Sequence, residues 1–280
     1  MRNLIEELKN IKLMIFDLDG VIYRGDMLIS NVDKAIQELK NNGIKVVYNS
    51  NNSTATRQMY IERLKKFNIS SEISDFYTSA SITSTEISKI KKRANIFVIG
   101  EVGLREELKV MGHKIVSEPS EYNDIDFVIV GLDREFKYQT LAMAQKCVLE
   151  GHAQFYATNA DANLPVPQGL LPGAGAMVSA LEACTGRKPV KIFGKPQPFG
   201  MKLILKETKI PASKACAFGD RLETDMVAAK LAGIKSVMVL TGVTSREMIE
   251  NLIPKSKGSV EFDKNLIPDI IINTLNEIFE

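Results

Sequence analysis

The stretch that most constrains this chain is residues 13–23, LMIFDLDGVIY, in which four apolar side chains run straight into two carboxylates and a glycine. Residues 13–16 have the length and composition of a strand buried on both faces of a parallel sheet. An unpaired carboxylate is too costly to bury in mid-strand, so Asp17 and Asp19 belong at the strand's carboxyl end. That is the edge where open parallel sheets bind their ligands. Gly20 lets the backbone turn sharply and approach a small anion. The spacing suggests a division of labour. Asp17 would be a nucleophile or a metal ligand, and Asp19 a general acid/base whose backbone carbonyl is free for a hard cation. Taken alone, DLDG would read as an acidic turn after a strand; what lies downstream decides between the two.

A chain of 280 residues makes one large domain or two ordinary ones. With 45% hydrophobic and 25% charged residues it can bury a sizeable core. The 36 basic residues nearly balance the 34 acidic ones, and the lysines are dispersed. This argues against nucleic acid or a membrane surface as partner. Cys147, Cys184 and Cys216 are odd in number and form no CxxC pair, so neither a disulfide framework nor a zinc site is expected. The opening MRNLIEELKN reads as an amphipathic helix start rather than a signal peptide, and no apolar run approaches the ~18–20 residues of a membrane span. A reducing cytoplasm is the expected compartment.

An α/β alternation runs through the chain. Residues 32–40 place Val32, Ala35, Ile36 and Leu39 on one helix face, and Asn41-Asn42-Gly43 forms a stop. A strand over 44–48 ends in Asn49-Ser50-Asn51-Asn52-Ser53-Thr54, small polar residues before a helical stretch at 56–67. This resembles an anion-binding helix entry, although an ordinary N-cap and turn have the same composition. Residues 76–81 read as a strand or turn and 82–92 as a helix. A fresh alternation follows, with strands at 96–99, 127–130 and 154–157 and helices at 104–111 and 138–149. Residues 157–173 read as a loop rich in proline and glycine, leading into a helix over 174–184. KIFGKP, residues 191–196, brings Lys195 to a strand end between a glycine and a proline. A strand over 216–218 runs into GDRLETD, with Asp220 at the sheet edge and Asp225 in the first turn of a helix over 226–232. Residues 236–240 and 270–272 read as further strands, Thr241-Gly242 as a turn, and 275–279 as a closing helix.

If these strands share one parallel sheet, Asp17/Asp19, Ser50/Asn51, Lys195 and Asp220/Asp225 converge at its carboxyl edge. Two or three carboxylates would hold one Mg²⁺, which prefers oxygen ligands. Lysine, hydroxyl and backbone N–H groups would bind phosphoryl oxygens. Cation and lysine together would offset the repulsion between a carboxylate nucleophile and an anionic phosphate.

DLDG, SNN, GKP and GDRLETD, in this order, resemble the four motifs of the haloacid-dehalogenase-like superfamily of phosphohydrolases. NNSTATR, GLDREFKY and TNADANLPVPQGLLPGAGA narrow the resemblance to its NagD / 4-nitrophenylphosphatase-like group. It covers roughly residues 13–242, with Ser50 standing where threonine is more usual. The resemblance implies a Rossmann-like doubly wound α/β core, residues 1–88 and 190–280, with an inserted α/β cap over 89–189. It implies a Mg²⁺-dependent phosphatase acting on a small phosphorylated metabolite: a sugar phosphate, a phosphoglycolate-like acid or a nucleotide. Asp17 would form an aspartyl-phosphate and bind the metal. Asp19 would protonate the leaving oxygen, then activate water, with its carbonyl on the metal. Ser50 and Asn51, with Gly20 and Asn52 beside them, would hold the phosphoryl group. Lys195 would stabilise the transition state, Asp220 would complete the metal site, and Asp225 would support it directly or through Lys195. Asn159, Asp161 and Asn163 would belong either to a cap loop that contacts substrate or to an ordinary Asn/Asp turn. A homodimer through the cap is expected by the same analogy. A phosphomutase or phosphotransferase, or a non-catalytic phosphometabolite-binding protein, could use the same residues. A signalling receiver domain is too short to match, and a dehalogenase needs neither Asp19 nor the full metal site.

Overall fold

The computed structural model describes residues 2–166, 169–252 and 264–280. The chain divides into two compact units: Met1–Ser50, Ile61–Tyr77 and Lys195–Glu280 form one, and Asn51–Tyr60 with Thr78–Gly194 the other.

The first unit is built on a six-stranded sheet in the order Ile270–Ile272, Lys235–Val239, Ala215–Gly219, Leu13–Phe16, Lys45–Ser50, Phe76–Thr78. Leu13–Phe16 is buried along its whole length and pairs in parallel with both neighbours, Phe16 lying opposite Phe218 on one side and Tyr48 on the other. The Phe16 and Phe218 rings stack with centroids 4.5 Å apart. The chain winds outward from Leu13–Phe16 through Lys45–Ser50, then returns to Ala215–Gly219 on the opposite side and winds outward again. The topological switch therefore falls between the two strands that carry Asp17 and Asp220 at their ends. The helix Val32–Asn41 buries Val32, Ala35, Ile36 and Leu39 as its periodicity predicts. It closes with Gly43 at φ +72°, where Gly43 N–H bonds to the Lys40 carbonyl and Ile44 N–H to that of Leu39. This is the Schellman stop that Asn41-Asn42-Gly43 suggested.

The second unit has its own five-stranded parallel sheet, in the order Lys191–Ile192, Gln154–Ala157, Phe127–Val130, Asn95–Ile99, Lys114–Ile115. Phe97, Val128, Phe155, Leu181 and their neighbours form its core against the helices Tyr138–Leu149 and Ala174–Thr185.

Several elements differ from the sequence reading. Lys191–Ile192 joins the second unit's sheet, so Lys195 does not leave a strand of the sheet that carries Asp17, as the reading of four converging strand ends assumed. Residues 79–81 are helical, because Thr78 and Ser81 close a capping box that starts the helix Ser79–Ile90. Asn163–Val166 and Gly169–Pro172 pair as a hairpin where a loop was expected; a two-stranded ribbon is all edge and so tolerates Pro165. Pro167 and Gln168 of that stretch lie outside the described residues. A small hairpin, Tyr23–Arg24 with Met27–Leu28, follows the DLDG turn. Asp225 sits in a π turn, Leu222–Met226, before the short helix Val227–Leu231 rather than in a regular first turn. The closing element Leu275–Ile278 is a 3₁₀ turn.

Candidate active site

In the first unit the ends of the two central strands bring three acids together. Carboxylate oxygens of Asp17, Asp220 and Asp225 all lie within 4.8 Å of one another. Lys195 is buried among them. Its ammonium is 2.9 Å from Asp17 Oδ1 and 2.6 Å from Asp225 Oδ1, and it donates to the Asn49 carbonyl at 2.9 Å. Three donors on one nitrogen thus meet three acceptors. Asp225 also accepts from the Arg221 N–H at 3.1 Å, which the π turn makes possible by folding the carboxylate back on its own loop.

Asp220 is held by Val243 N–H, 2.8 Å from its Oδ2, while its own backbone carbonyl accepts from Thr244 N–H at 3.1 Å. Two glycines make room for it. A methyl group at Gly20, where φ is +80°, would stand 2.3 Å from Asp220 Oδ2, and one at Gly242 would stand 1.9 Å away. The sequence reads Gly242 only as part of a turn. The signal available is a glycine three residues past the buried strand Lys235–Val239, in the loop where a close backbone approach is needed. Thr241 Oγ1 in turn donates to the Gly20 carbonyl at 2.7 Å, tying the two loops together.

The electrostatics of this cluster are unbalanced. Three carboxylates face one ammonium. Burial raises the pKa of Asp17, against the pull of Lys195 and with a further push from Asp225 and Asp220. Burial likewise raises Asp220, to about 6, with Asp225 adding to it. Burial alone would lower Lys195, but Asp17 and Asp225 overcome it and the net shift is upward. Asp220 Oδ1 is buried with no hydrogen-bond partner among the described residues. An orphaned, buried carboxylate oxygen among excess negative charge fits a hard divalent cation. The residues present could hold one through Asp17 and Asp220, with Asp225 beside them.

Asp19 lies outside that trio, with its side chain reaching solvent. Burial by the surrounding protein still raises its carboxyl, opposed by Arg63, Lys195 and Arg221. Its backbone bridges to Tyr23 of the small hairpin, and the Arg63 guanidinium stacks over the Tyr23 ring at 3.9 Å. Ser50 is buried at the end of Lys45–Ser50.

The other expected site residues belong to the second unit. Asn51 Nδ2 donates to both carboxylate oxygens of Asp161, at 3.2 and 3.1 Å. Asn159 Nδ2 donates to the Asn51 carbonyl at 2.8 Å, and Asn159 Oδ1 accepts from Asp161 N–H at 3.1 Å. Asn52 Oδ1 accepts from the N–H and the hydroxyl of Thr54, both at 2.8 Å, an Asx turn that shapes the loop. Sequence reasoning missed Ser79, which donates to the Asn51 carbonyl at 2.6 Å; a serine in a predicted strand or turn gave no signal. It also missed Glu107, which receives Arg57, the first residue of the helix Arg57–Lys66 that follows this loop, in a bidentate ion pair at 2.8 and 2.9 Å.

Comparison with known proteins gives the family. The family described as haloacid dehalogenase-like hydrolase matches residues 14–114, and a HAD-hydrolase-like family matches residues 192–277. The chain is 32% identical to the 5'-nucleotidase YutF of Bacillus subtilis over 263 residues, 94% of this chain and 100% of that protein. It is similar in structure to a p-nitrophenyl phosphatase from Archaeoglobus fulgidus, with TM-score 0.84 and 32% identity over 95% of this chain and 97% of that one. It is also similar to a glycerol phosphate phosphatase from Mycobacterium tuberculosis in complex with magnesium, with TM-score 0.86 and 26% identity over 99% of this chain and 79% of that one. The chain belongs to the haloacid dehalogenase-like hydrolases, in the group that includes the 4-nitrophenylphosphatases.

Proposed function

We propose that this protein is a Mg²⁺-dependent phosphatase that hydrolyses small phosphomonoesters through Asp17. The observation that carries the reading is Lys195, buried between Asp17 and Asp225 in the cluster where Asp220 Oδ1 has no hydrogen-bond partner among the described residues. That combination suits a carboxylate that must meet an anion. Lys195 holds one Asp17 oxygen and leaves the other to attack. The bond from Asp17 to phosphorus forms as the ester P–O bond breaks, and Asp19 gives its proton to the leaving oxygen. Asp19, now ionised, takes a proton from the water that attacks phosphorus, and the aspartyl-phosphate breaks to free phosphate and Asp17. Ser50, with Asn51 and Asn52 after it, is assigned to the phosphoryl oxygens; the Gly20 N–H donates to the Tyr23 carbonyl at 2.8 Å, so Gly20 serves the site by leaving room for Asp220. Asp17, Asp220, the Asp19 carbonyl and Asp225 are the groups assigned to the cation. When bound, Mg²⁺ supplies the positive charge that lets an anionic nucleophile approach an anionic ester.

The second unit is assigned the part of the cap that chooses the leaving group, and the relatives' names support a small organic phosphate as substrate. Three free cysteines support a reducing compartment such as the cytoplasm. Among the described residues no helix is long and apolar enough to cross a membrane. Leu170 and Leu171, exposed on the hairpin, support self-association of this unit.

The test is phosphate release from 4-nitrophenyl phosphate and from a panel of sugar phosphates, phosphoglycolate and nucleotides, with Mg²⁺ or with EDTA. Mg²⁺-dependent release that Asp17→Asn abolishes is expected. An isomerised sugar phosphate in place of free phosphate would make the protein a mutase. Binding without turnover by the wild-type protein would make it a non-catalytic receptor.

A further inference from the structure

Asp19 lies outside the carboxylate trio, so its direction is set by its own backbone. The two peptide groups that flank its α-carbon are both tied to Tyr23. The Leu18 carbonyl accepts from Tyr23 N–H at 3.2 Å and from Ile22 N–H at 2.8 Å, and the Gly20 N–H donates to the Tyr23 carbonyl at 2.8 Å. Two fixed peptide planes fix the φ and ψ between them, and with them the Cα–Cβ bond of Asp19. Tyr23 opens the hairpin Tyr23–Arg24 with Met27–Leu28, whose two-residue loop is Gly25-Asp26, with Gly25 at φ +52°. So short a hairpin does not hold its own place in water; it keeps it through what it leans on. On one side Arg24 Nε donates to the Thr241 carbonyl. On the other, Arg63 of the helix Arg57–Lys66 reaches three points. Its Nη2 donates to the Gly25 carbonyl and lies 3.3 Å from the Asp26 carboxylate, and its guanidinium covers the Tyr23 ring at 3.9 Å. Phe67, four residues on, approaches the same ring, with centroids 6.0 Å apart. The Asp26 carboxylate is fully exposed, so that ion pair is worth little. The grip is the carbonyl and the ring, two contacts that a flat, forked cation makes at once and an ammonium does not.

We infer that Arg63 is a positioning residue for Asp19. It holds the Tyr23 ring and the hairpin loop still, and Tyr23 holds the peptides on either side of Asp19, so that the carboxyl meets the leaving oxygen in one orientation. The inference rests on the phosphatase reading for the task given to Asp19, but the clamp itself is read without turnover.

Protonation by Asp19 matters most when the leaving group is poor, and this supplies the readout. An alkyl ester such as glycerol phosphate needs its oxygen protonated as it leaves, whereas 4-nitrophenolate leaves almost unaided. The ratio kcat/KM covers only the steps up to that departure, so breakdown of the aspartyl-phosphate, common to both esters, drops out. With Mg²⁺ saturating, Arg63→Met is expected to lower kcat/KM for glycerol phosphate by about tenfold, part of what a general acid contributes, and for 4-nitrophenyl phosphate by no more than about twofold. Arg63→Lys keeps the positive charge but loses the fork and the flat face, so it should fall with Arg63→Met rather than with wild type. Equal losses on both esters would mark a merely structural residue and overturn the proposal. Arg63→Lys indistinguishable from wild type would assign the effect to charge and overturn it too. Hydrogen exchange needs no turnover. In Arg63→Met the amides of Gly20, Ile22 and Tyr23 should exchange roughly five- to tenfold faster, while those of the strand Leu13–Phe16 keep their rate. Unchanged exchange at Gly20, Ile22 and Tyr23 would refute the clamp. Wild type that turns over neither ester would refute the phosphatase reading, and exchange would still decide whether Arg63 holds the Asp19 backbone.

Discussion

Replacing Lys195 by methionine removes one charge from the centre of the carboxylate cluster while nearly preserving its volume. Lys195 is only 5% exposed and satisfies Asp17, Asp225 and the Asn49 carbonyl at 2.9, 2.6 and 2.9 Å. Deleting one partner of a buried ion pair strands the other, at about 3–5 kcal/mol. Here two carboxylates are stranded together with Asp220 close by, so the upper part of that range is expected in EDTA. For a unit of this size the change corresponds to a fall in Tm of about 10 °C or more. The sign of a second substitution makes the argument sharper. Asp225→Asn in the wild-type background removes a partner of Lys195 and destabilises. In the Lys195→Met background it removes a stranded like charge and stabilises. Thermal unfolding followed by circular dichroism, with EDTA and again with Mg²⁺, measures all four corners of the cycle. Mg²⁺ should recover part of the loss in Lys195→Met, because the cation replaces some of the missing positive charge. A Lys195→Met protein melting within about 2 °C of wild type in EDTA would refute the reasoning, as would an Asp225→Asn effect of the same sign in both backgrounds. Turnover of Lys195→Met should fall by about 10²–10³-fold even with Mg²⁺ saturating, the usual effect of deleting one preorganised charge at a developing anion.

Two further outcomes follow from the same cluster. Gly242→Ala places a methyl 1.9 Å from Asp220 Oδ2, so Asp220 must move; Mg²⁺ affinity measured by calorimetry should drop at least about tenfold, the scale of lost metal-site support, and an unchanged affinity would count against Asp220 as a ligand. In EDTA the protein should lose stability as pH rises. The folded pKa values of Asp17 and Asp220 are raised above the ordinary 3.8, so the stability they contribute is complete below that value and drains away through the folded values, about 6 for Asp220 and higher for Asp17. Urea unfolding across this range should show the decline, and saturating Mg²⁺ should flatten it; a stability that rises with pH in EDTA would contradict the raised values.

Different parts of the site were legible in the sequence to different degrees, and the reason is physical. Asp17 and Gly20 could be placed from eleven consecutive residues, because a buried strand cannot contain a charge and a sharp turn favours a glycine; that the crowding group is the Asp220 carboxylate came only from the structure. The helix Val32–Asn41 and its glycine stop were legible for the same reason: their determinants are all local. Lys195 was recognisable as a charge a phosphate site needs, but its route was not. The strand before it belongs to another sheet, and strand pairing between residues tens of positions apart leaves no local mark. The Asn51 knot was the least legible. Its partners Ser79 and Asn159 lie 28 and 108 residues away, and neither has a spacing that announces a bond. The family resemblance therefore left Asn159 and Asp161 as either a cap loop that contacts substrate or an ordinary Asn/Asp turn, and gave Asn51 to the phosphoryl group. The hydrogen bonds join these residues to one another: Asn51 Nδ2 donates to Asp161, Asn159 Nδ2 to the Asn51 carbonyl, and Asp161 N–H to Asn159 Oδ1. A bond between residues more than a hundred positions apart depends on how the chain folds back, and neither local sequence carries a mark of it.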